Sequence, residues 1–311
     1  MISLNIQNYC ETTPSVVSVG TFDGFHLGHQ KLIEKVISIS KTKNLTSIIL
    51  TFNPHPRIVL NNEKDVKLLT TYEEKNKIFE SSNIDYLITQ DFNKSFSKLS
   101  ALEFVRDVLI KKLNVKHIVI GYDHHFGKNR DANASQLFEF SQDLGFDITE
   151  VGAFQMNKVS VSSTKIRNLI HDGKINQANK LLGYQFILTG QVISGLGRGK
   201  NIGFPTANIL IDSHKIKPGN GVYFIRSIFN GYDIYGMMNI GSNPTFNDKD
   251  DSIEIHFFDF EQNLYERQIT VSLIKKIRDE KKFKSVDNLS AQLQLDKKKC
   301  FELITNLKKT N

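Results

Sequence analysis

Two histidines, three residues apart in a glycine-rich turn, are the residues of this chain best placed to do chemistry. His26 and His29 belong to GTFDGFHLGH (20–29), between an apolar run at 16–19 and a segment with helical periodicity. The free N–H groups and partial positive charge at the start of such a helix attract phosphate. Imidazole donors aimed at phosphate oxygens stabilise developing charge by roughly 3–4 kcal/mol each. The turn therefore predicts displacement at the α-phosphorus of a nucleotide, with pyrophosphate leaving.

A structural interpretation of this turn stays open, in which one histidine merely caps the turn and the glycines at 20, 24 and 28 serve packing. Three other polar segments follow predicted strands or precede a predicted helix. They are FNPHP (52–56) with His55, GYDHHFG (121–127) with Asp123, and VSSTKIR (161–167) with Ser163, Thr164 and Arg167. In the third, Ser163 or Thr164 can cap a helix while basic residues face phosphate. Taken alone, a histidine between prolines such as His55 is more often structural, and the third segment is as compatible with an ordinary capped helix.

The second half carries a different set of candidates. GLGRGKNIGFPTAN (195–208) is a glycine-rich basic loop without the P-loop pattern, in which Gly195 and Arg198 could hold phosphates. Thr206 and Asn208 are two residues apart, so on a strand they would share a face and could hold Mg²⁺ with ATP phosphates. In SIEIHFFDF (252–260), Glu254 is placed to act as general base on a substrate hydroxyl. A surface turn and a solvated strand face are the structural alternatives.

The elements that must position these residues differ between the two halves. In the first half, short β-rich runs at 15–19, 46–52, 84–89 and 116–120 alternate with helical patterns at 27–43, 100–113 and 133–144. Ser100 and Glu103 have capping-box spacing at the start of one helix. This alternation predicts a doubly wound, Rossmann-like parallel sheet, whose ligands lie at the carboxyl ends of the strands.

Successive strand-like runs without helices follow residue 183. They lie at 185–194, 221–229, 234–240, 252–260 and 268–274, separated by turn residues, and helical periodicity returns at 285–307. The pattern predicts an antiparallel β-barrel or sandwich with a covering C-terminal helix. We therefore expect two unrelated domains, 1–183 and 184–311, of class α/β followed by β.

Composition narrows the class of protein. The chain has 311 residues, 40% of them hydrophobic, and a net charge of +7. Its lysines are scattered rather than clustered, which argues against nucleic acid as a partner. Two cysteines at opposite ends predict neither a disulfide framework nor a metal site. No secretory signal is evident and no apolar run approaches the ~20 residues of a membrane span, so we expect a cytoplasmic protein without a membrane partner.

The motifs, in their order, resemble those of the bacterial bifunctional riboflavin kinase/FAD synthetases. GTFDGFHLGH, FNPHP, GYDHHFG and SSTKIR resemble the adenylyltransferase module of that family. GFPTAN, NIGSNPTF (239–246), EIHFFDF, LYER and IRDEKKF (277–283) resemble the riboflavin kinase module. The H-x-G-H signature alone is shared with pantetheine-phosphate and nicotinate-mononucleotide adenylyltransferases and class I aminoacyl-tRNA synthetases, so the kinase motifs specify the acceptor.

The resemblance implies phosphorylation of riboflavin to FMN by the second domain and adenylylation of FMN to FAD by the first. It implies Mg²⁺ on Thr206 and Asn208, and Glu254 as base on the riboflavin 5′-hydroxyl. His26 and His29 would stabilise the transferring phosphoryl group. Residues expected to bind the nucleotide or flavin are Gly20, Phe22, Asp23, Gly28, His55, Asp123, Ser163, Thr164, Arg167, Gly195, Arg198, Gly203, Pro205 and Arg278.

The partners expected are riboflavin, FMN and ATP, for a monomer or weak homo-oligomer. Two rival functions remain open: an enzyme with one live activity and one scaffolding domain, and a non-catalytic flavin-binding regulator that contacts nucleic acid through its basic surface. A tRNA ligase is disfavoured, because no K-M-S-K-S-like segment is present and SSTKIR occupies the comparable position.

Overall fold

The structure, a computed structural model, describes residues 1–60, 66–122, 127, 133–156, 159–194, 199, 202–241 and 252–310. The chain folds into two compact units, Met1–Ser163 and Thr164–Asn311. The boundary expected between the two catalytic domains, at 183/184, stays a prediction.

The first unit is built on a six-stranded sheet in which every pair of neighbours is parallel. The strands are β1 (Ile2–Asn5), β2 (Ser15–Val19), β3 (Thr46–Asn53), β4 (Tyr86–Asp91), β5 (Val115–Gly121) and β6 (Asp147–Val151), in the order β1-β4-β3-β2-β5-β6. All five residues of the central β2 are buried, as expected of a strand covered on both faces. The predicted doubly wound sheet is confirmed, and the structure adds the edge strands β1 and β6.

Helices alternate with these strands. They are α1 (Leu27–Lys43), α2 (Pro56–Leu60), α3 (Tyr72–Phe79), the single turn α4 (Ala101–Glu103), a π-helix (Phe104–Lys112) and α5 (Ala134–Leu144). The predicted capping box of Ser100 and Glu103 is present, but most of the helix that follows has π-type hydrogen bonding. A short antiparallel pair, β7 (Gln155–Met156) and β8 (Val159–Ser160), follows the sheet.

The second unit contains a closed antiparallel barrel of six strands. These are β9 (Ile187–Ile193), β10 (Ala207–Ile211), β11 (Gly221–Phe229), β12 (Tyr232–Gly241), β13 (Ser252–Phe257) and β14 (Gln268–Arg278), in the order β10-β13-β12-β11-β14-β9. Two helices, α6 (Ser163–His171) and α7 (Ile175–Leu182), precede the barrel. The Asn179 amide of α7 donates to the carbonyl of Leu273 on β14 at 2.9 Å and accepts the N–H of Phe186 at 2.8 Å.

One outer face of the barrel is covered by α8 (Val286–Thr310). Phe224 of β11 and Met237 of β12 form a buried cluster with Cys300 of α8, and the rings of Phe258 and Phe301 stack at 5.2 Å. Because neighbouring residues of a strand point to opposite faces, the intervening residues of β11 and β12 point into the barrel. The predicted barrel and covering helix are confirmed.

Candidate active sites

The imidazole rings of His26 and His29 stack on each other at the amino end of α1. Their centroids are 3.7 Å apart with planes 14° from parallel. His26 is the N-cap of α1, and its Nδ1 accepts the backbone N–H of His29 at 3.3 Å. A neutral His26 therefore carries its proton on Nε2. The predicted alternative of a capping histidine is thus partly met.

His29 is held in its neutral form by its surroundings. Desolvation by burial lowers its pKa well below the ordinary value, and the positive charges of His26 and Lys75 lower it further. Among the described residues, its buried Nδ1 has no hydrogen-bond partner. A buried polar atom without a partner costs free energy unless a ligand supplies one. This nitrogen, at the amino end of α1, is therefore consistent with a binding site at the turn.

Gly28 allows the two rings to approach each other. A Cβ added at this position would lie 3.2 Å from both Cε1 and Nδ1 of His26, which is closer than an ordinary contact. The phosphate turn, defined as residues 20–29, also needs a glycine at Gly24, where φ is +83° and a Cβ would lie 2.5 Å from Leu69 Cδ1. Two of its non-glycine residues, Phe22 at +47° and Phe25 at +39°, adopt positive φ as well. The turn is thus a strained backbone held by its surroundings.

Asp23 anchors the turn rather than pointing an unengaged carboxylate at a ligand. Its carboxylate is buried and accepts the backbone N–H groups of Leu69 at 2.9 Å and Thr70 at 3.0 Å. The N–H of Gly24 donates to Thr70 Oγ1 at 3.2 Å, and Ser163 Oγ donates to the carbonyl of Asp23 at 2.9 Å. These bonds tie the turn to the loop before α3 and to the start of α6.

The sequence predicted Ser163 or Thr164 as a cap of the following helix, and the structure shows a further contact of Ser163. Ser163 is the first residue of α6, and its hydroxyl bonds to the phosphate turn because the carbonyl of Asp23 is within reach. Thr164 and Arg167 lie on α6 in the second compact unit. His55 precedes α2, and its Nδ1 accepts the N–H of Arg57 at 3.2 Å, a contact that fits the structural alternative.

Helix α3 packs against the phosphate turn, and this helix was not predicted from the sequence. Phe79 contacts Phe25 with ring centroids 4.6 Å apart and Phe22 at 5.8 Å. One turn earlier, the ammonium of Lys75 donates to the carbonyl of Thr21 at 2.9 Å. Lys75 and Phe79 are four residues apart and share a face of α3. A lysine and an aromatic residue four positions apart could have indicated this helix in the sequence. The same spacing is common in charged surface helices, so it does not distinguish a buried lysine.

In the second unit, the predicted base and metal ligands come together on one face of the barrel. Glu254 of β13 pairs with Asn208 of β10 on one side and with Asn239 of β12 on the other. Thr206 Oγ1 donates to Glu254 Oε2 at 3.4 Å, and Ser252 Oγ donates to Oε1 at 3.3 Å. Directly paired residues of neighbouring strands share a face. Asn208 and Glu254 therefore share a face, and two hydroxyls bond to the carboxylate. Hydroxyl, amide and carboxylate oxygens are donors that Mg²⁺ accepts together with phosphate oxygens and water.

His256 fixes the segment that carries Thr206. Its Nδ1 lies 2.8 Å from the carbonyl of Pro205, which can only accept, so Nδ1 carries the proton. Burial lowers the pKa of His256, and the hydrogen bond to Pro205 opposes this effect. Phe204 packs edge-on against the same ring at 5.1 Å, and Gly203 before it has φ of +77°. Sequence reasoning gave His256 no role.

Arg278 ends the row of paired residues on this face. It pairs with Val222 of β11, which pairs in turn with Asn239. Its Nε donates to Asp296 Oδ2 of α8 at 2.7 Å, and Asp296 is fully buried. Gln292 donates to the other carboxylate oxygen at 3.0 Å. Arg278 is therefore clamped to α8 at the edge of the Glu254 cluster.

Three predicted residues, Asp123, Gly195 and Arg198, lie outside the described residues, as does NIGSNPTF beyond residue 241. Across the described ranges, no group of three or more histidine, cysteine, aspartate or glutamate side chains is arranged to hold a metal ion.

Comparison with known proteins matches each half separately. A family model described as FAD synthetase matches residues 9–165, and one described as riboflavin kinase matches residues 182–304. The chain is 42% identical over 297 residues to the bifunctional riboflavin kinase/FMN adenylyltransferase of Buchnera aphidicola subsp. Schizaphis graminum, covering 93% of this chain and 95% of that protein. It is 38% identical to the protein of the same name from Bacillus subtilis, covering 96% and 95%.

A solved structure is similar over nearly the whole chain. The crystal structure titled macrolide-efflux protein from Streptococcus pneumoniae has a TM-score of 0.86 and 32% identity, and covers 96% of this chain and 98% of that one. Within the part of the chain that the structure describes, no helix is both long and apolar enough to span a membrane.

Proposed function

Because the chain belongs to the bifunctional riboflavin kinase/FMN adenylyltransferase family, we propose that its two halves catalyse two successive ATP-dependent reactions. The C-terminal domain (184–311) phosphorylates riboflavin to FMN, releasing ADP. The N-terminal domain (1–183) transfers AMP from a second ATP to FMN, releasing pyrophosphate and FAD. The observation that carries this proposal is that each half holds its own cluster of reactive groups, at His26 and His29 and around Glu254.

In the kinase reaction, Glu254 takes the proton of the riboflavin 5′-hydroxyl as its oxygen attacks the γ-phosphorus of ATP. The carboxylate is oriented by Thr206 and Ser252 before substrate binds, so little reorganisation is needed. Thr206 and Asn208 would hold Mg²⁺, which when bound neutralises phosphate charge. We propose that Gly195, Arg198, Gly203 and Pro205 bind the nucleotide phosphates and that Arg278 approaches the flavin.

In the adenylyl transfer, a phosphate oxygen of FMN attacks the α-phosphorus of ATP and pyrophosphate leaves, so no side chain needs to accept a proton. His26 and His29 donate hydrogen bonds to the oxygens on which charge develops. A neutral His29 with a buried, unsatisfied nitrogen supports this role. Gly20, Phe22, Asp23 and Gly28 belong to the turn proposed to hold the phosphates. We also propose nucleotide-binding roles for His55, Asp123, Ser163, Thr164 and Arg167.

Two single variants test the proposal. H29A should lower FAD formation from FMN at least about 100-fold, because one preorganised donor is lost, and leave FMN formation within about twofold of wild type. E254A should do the reverse, because the base of the kinase reaction is lost. The matched controls are H171A and E261A, at exposed positions. Flavins are resolved chromatographically over time with riboflavin, ATP and Mg²⁺.

Loss of both activities in either folded variant would contradict two independent sites. A single live activity in the wild-type enzyme would favour the scaffolding alternative. We also propose a cytoplasmic monomer or weak homo-oligomer that acts on riboflavin, FMN and ATP and binds no nucleic acid. Tight, steeply salt-dependent binding of nucleic acid without flavin turnover would contradict that last proposal.

A further inference from the structure

A lysine is buried beneath the phosphate turn, where the proposed reaction gives it no role. Lys75 lies on α3 and is 6% exposed. Its ammonium donates to the carbonyl of Thr21 at 2.9 Å and to Thr51 Oγ1 at 3.1 Å. Thr21 belongs to the phosphate turn, and Thr51 lies near the carboxyl end of β3. The lysine thus joins the strand end to the turn that carries His26 and His29.

Burying the charged ammonium of Lys75 costs free energy. Burial lowers its pKa to about 8, while the nearby carboxylate of Asp23 acts in the opposite direction. A neutral donor such as a glutamine amide could bond to a carbonyl and a hydroxyl without burying a charge. Hydrogen bonding alone therefore does not explain why an ammonium occupies this position.

The charge of Lys75 acts on His29. It is one of the causes that lower the pKa of His29. Asp23 of the phosphate turn and His29 of α1 are the titratable groups described against Lys75. In a desolvated site, a positive charge behind the turn raises the electrostatic potential where phosphate oxygens would bind.

We propose that Lys75 is a positioning residue of the adenylyl-transfer site, whose ammonium both holds the phosphate turn through the carbonyl of Thr21 and makes it attractive to the triphosphate and the leaving pyrophosphate. This inference rests on the proposed adenylyl transfer at His26 and His29. It extends the site to an element that contributes none of the predicted contacts.

Three substitutions separate charge from hydrogen bonding. K75M removes both, K75Q keeps a neutral donor, and K75R keeps the charge. The matched control is K77M, two residues along the same helix on its exposed side. All variants are assayed as full-length protein for FAD formation from FMN and for FMN formation from riboflavin. Binding of inorganic pyrophosphate is measured by calorimetry, and folding by thermal unfolding.

K75M and K75Q should lower kcat for FAD formation at least about 30-fold and weaken pyrophosphate binding at least about fivefold. K75R should recover both to within about fivefold of wild type, and K77M should match wild type. FMN formation should be unchanged in every variant. In wild type, kcat for FAD formation should fall as the pH rises through about 8, where the ammonium loses its proton, and K75R should lack this alkaline limb.

The inference is overturned if K75Q retains kcat and pyrophosphate affinity within threefold, since the charge would then be dispensable. It is also overturned if K75R keeps the same alkaline limb, or if K75M loses FAD formation only because its cooperative unfolding transition is lost and K75R does not restore it. If the wild-type enzyme makes FMN but no FAD, the proposed adenylyl transfer itself is wrong. If wild type makes FAD and K75M makes it equally well, only the role of Lys75 is wrong.

Discussion

A single hydrogen bond connects the kinase carboxylate strand to the segment that carries its predicted metal ligand. His256 lies two residues after Glu254 and donates from Nδ1 to the carbonyl of Pro205, directly before Thr206. This hydrogen bond is partly buried, so losing it costs about 0.5–1.5 kcal/mol. His256 is therefore expected to hold Thr206 in place without touching substrate.

We expect H256N to keep FMN formation within about threefold of wild type, because an asparagine amide can occupy the position of Nδ1. H256Q extends its amide toward the position of Nε2 instead, so it should raise the KM for ATP with Mg²⁺ by about tenfold while kcat changes less. Steady-state kinetics of the two variants provide the measurement. Equal behaviour of H256N and H256Q would show that the bond to Pro205 does not position the site.

The placement of residues could be predicted from sequence where one motif or a pair of strands brings them together. His26, His29 and Glu254 are clustered with their expected neighbours because these neighbours lie on one turn or on paired strands. Lys75 and His256 could not be assigned, because their contacts depend on tertiary burial and on a carbonyl in another segment. Asp23 was expected among nucleotide-binding residues, and its observed bonds to Leu69 and Thr70 are equally invisible in the sequence.

At the scale of elements, the bounds of helices and strands were predicted best where burial and capping agree with the hydrophobic periodicity. β2 and α1 begin and end where their patterns predict, since β2 is wholly buried and α1 is bounded by a histidine cap and a left-handed Asn44. Edge strands were missed: β1 is exposed at its first two residues, and β6 is at most partly buried. Such strands form because a partner strand supplies hydrogen bonds, not because of an internal pattern.

The clamp between β14 and α8 gives an element-scale prediction. Asp296 is fully buried against Arg278, so D296A would leave a largely buried guanidinium without its counter-charge. We expect the free energy of unfolding of the second unit to fall by about 3 kcal/mol. The double variant R278M/D296L removes both charges and should recover most of the stability, yet it should still form FMN poorly if Arg278 approaches the flavin.

Urea unfolding and FMN formation are measured in parallel for these variants. E302A, at an exposed position on α8, is the control and should change stability by less than about 0.5 kcal/mol. If the double variant is no more stable than D296A, the cost of D296A does not come from leaving the Arg278 charge unpaired, and the pair stabilises the unit in another way. Full FMN formation by the double variant would remove Arg278 from the kinase site.

For the whole molecule, the two clusters lie on separate compact units, one with His29 and the other with Glu254. FMN is small and charged, so we expect it to be released into solvent after the first reaction and bound again for the second. An equimolar mixture of H29A and E254A should therefore convert riboflavin to FAD at about half the wild-type rate or better after a lag, although neither variant does so alone. The lag and the transient FMN are followed chromatographically.

No FAD from the mixture, with each variant retaining its remaining activity, would instead mean that FMN passes between the two sites of one chain without release. Raising the concentration of the mixture distinguishes slow capture from obligatory transfer. Slow capture should speed up with concentration, whereas obligatory transfer should not.

The closure of the barrel has a consequence for how the chain acquires its structure during synthesis. β9, the first strand of the barrel, pairs with β14, the last, so that Gln191 lies opposite Gln268. Contacts between residues so distant in sequence carry a high loop-closure entropy and form slowly. The parallel sheet, by contrast, has its last strand complete at Val151, before the barrel begins at Ile187. On the ribosome, the first unit can thus fold while the barrel of the second unit is still incomplete. Until β14 is available to pair with β9, the barrel strands have unpaired edges, which make the second unit the more vulnerable to aggregation.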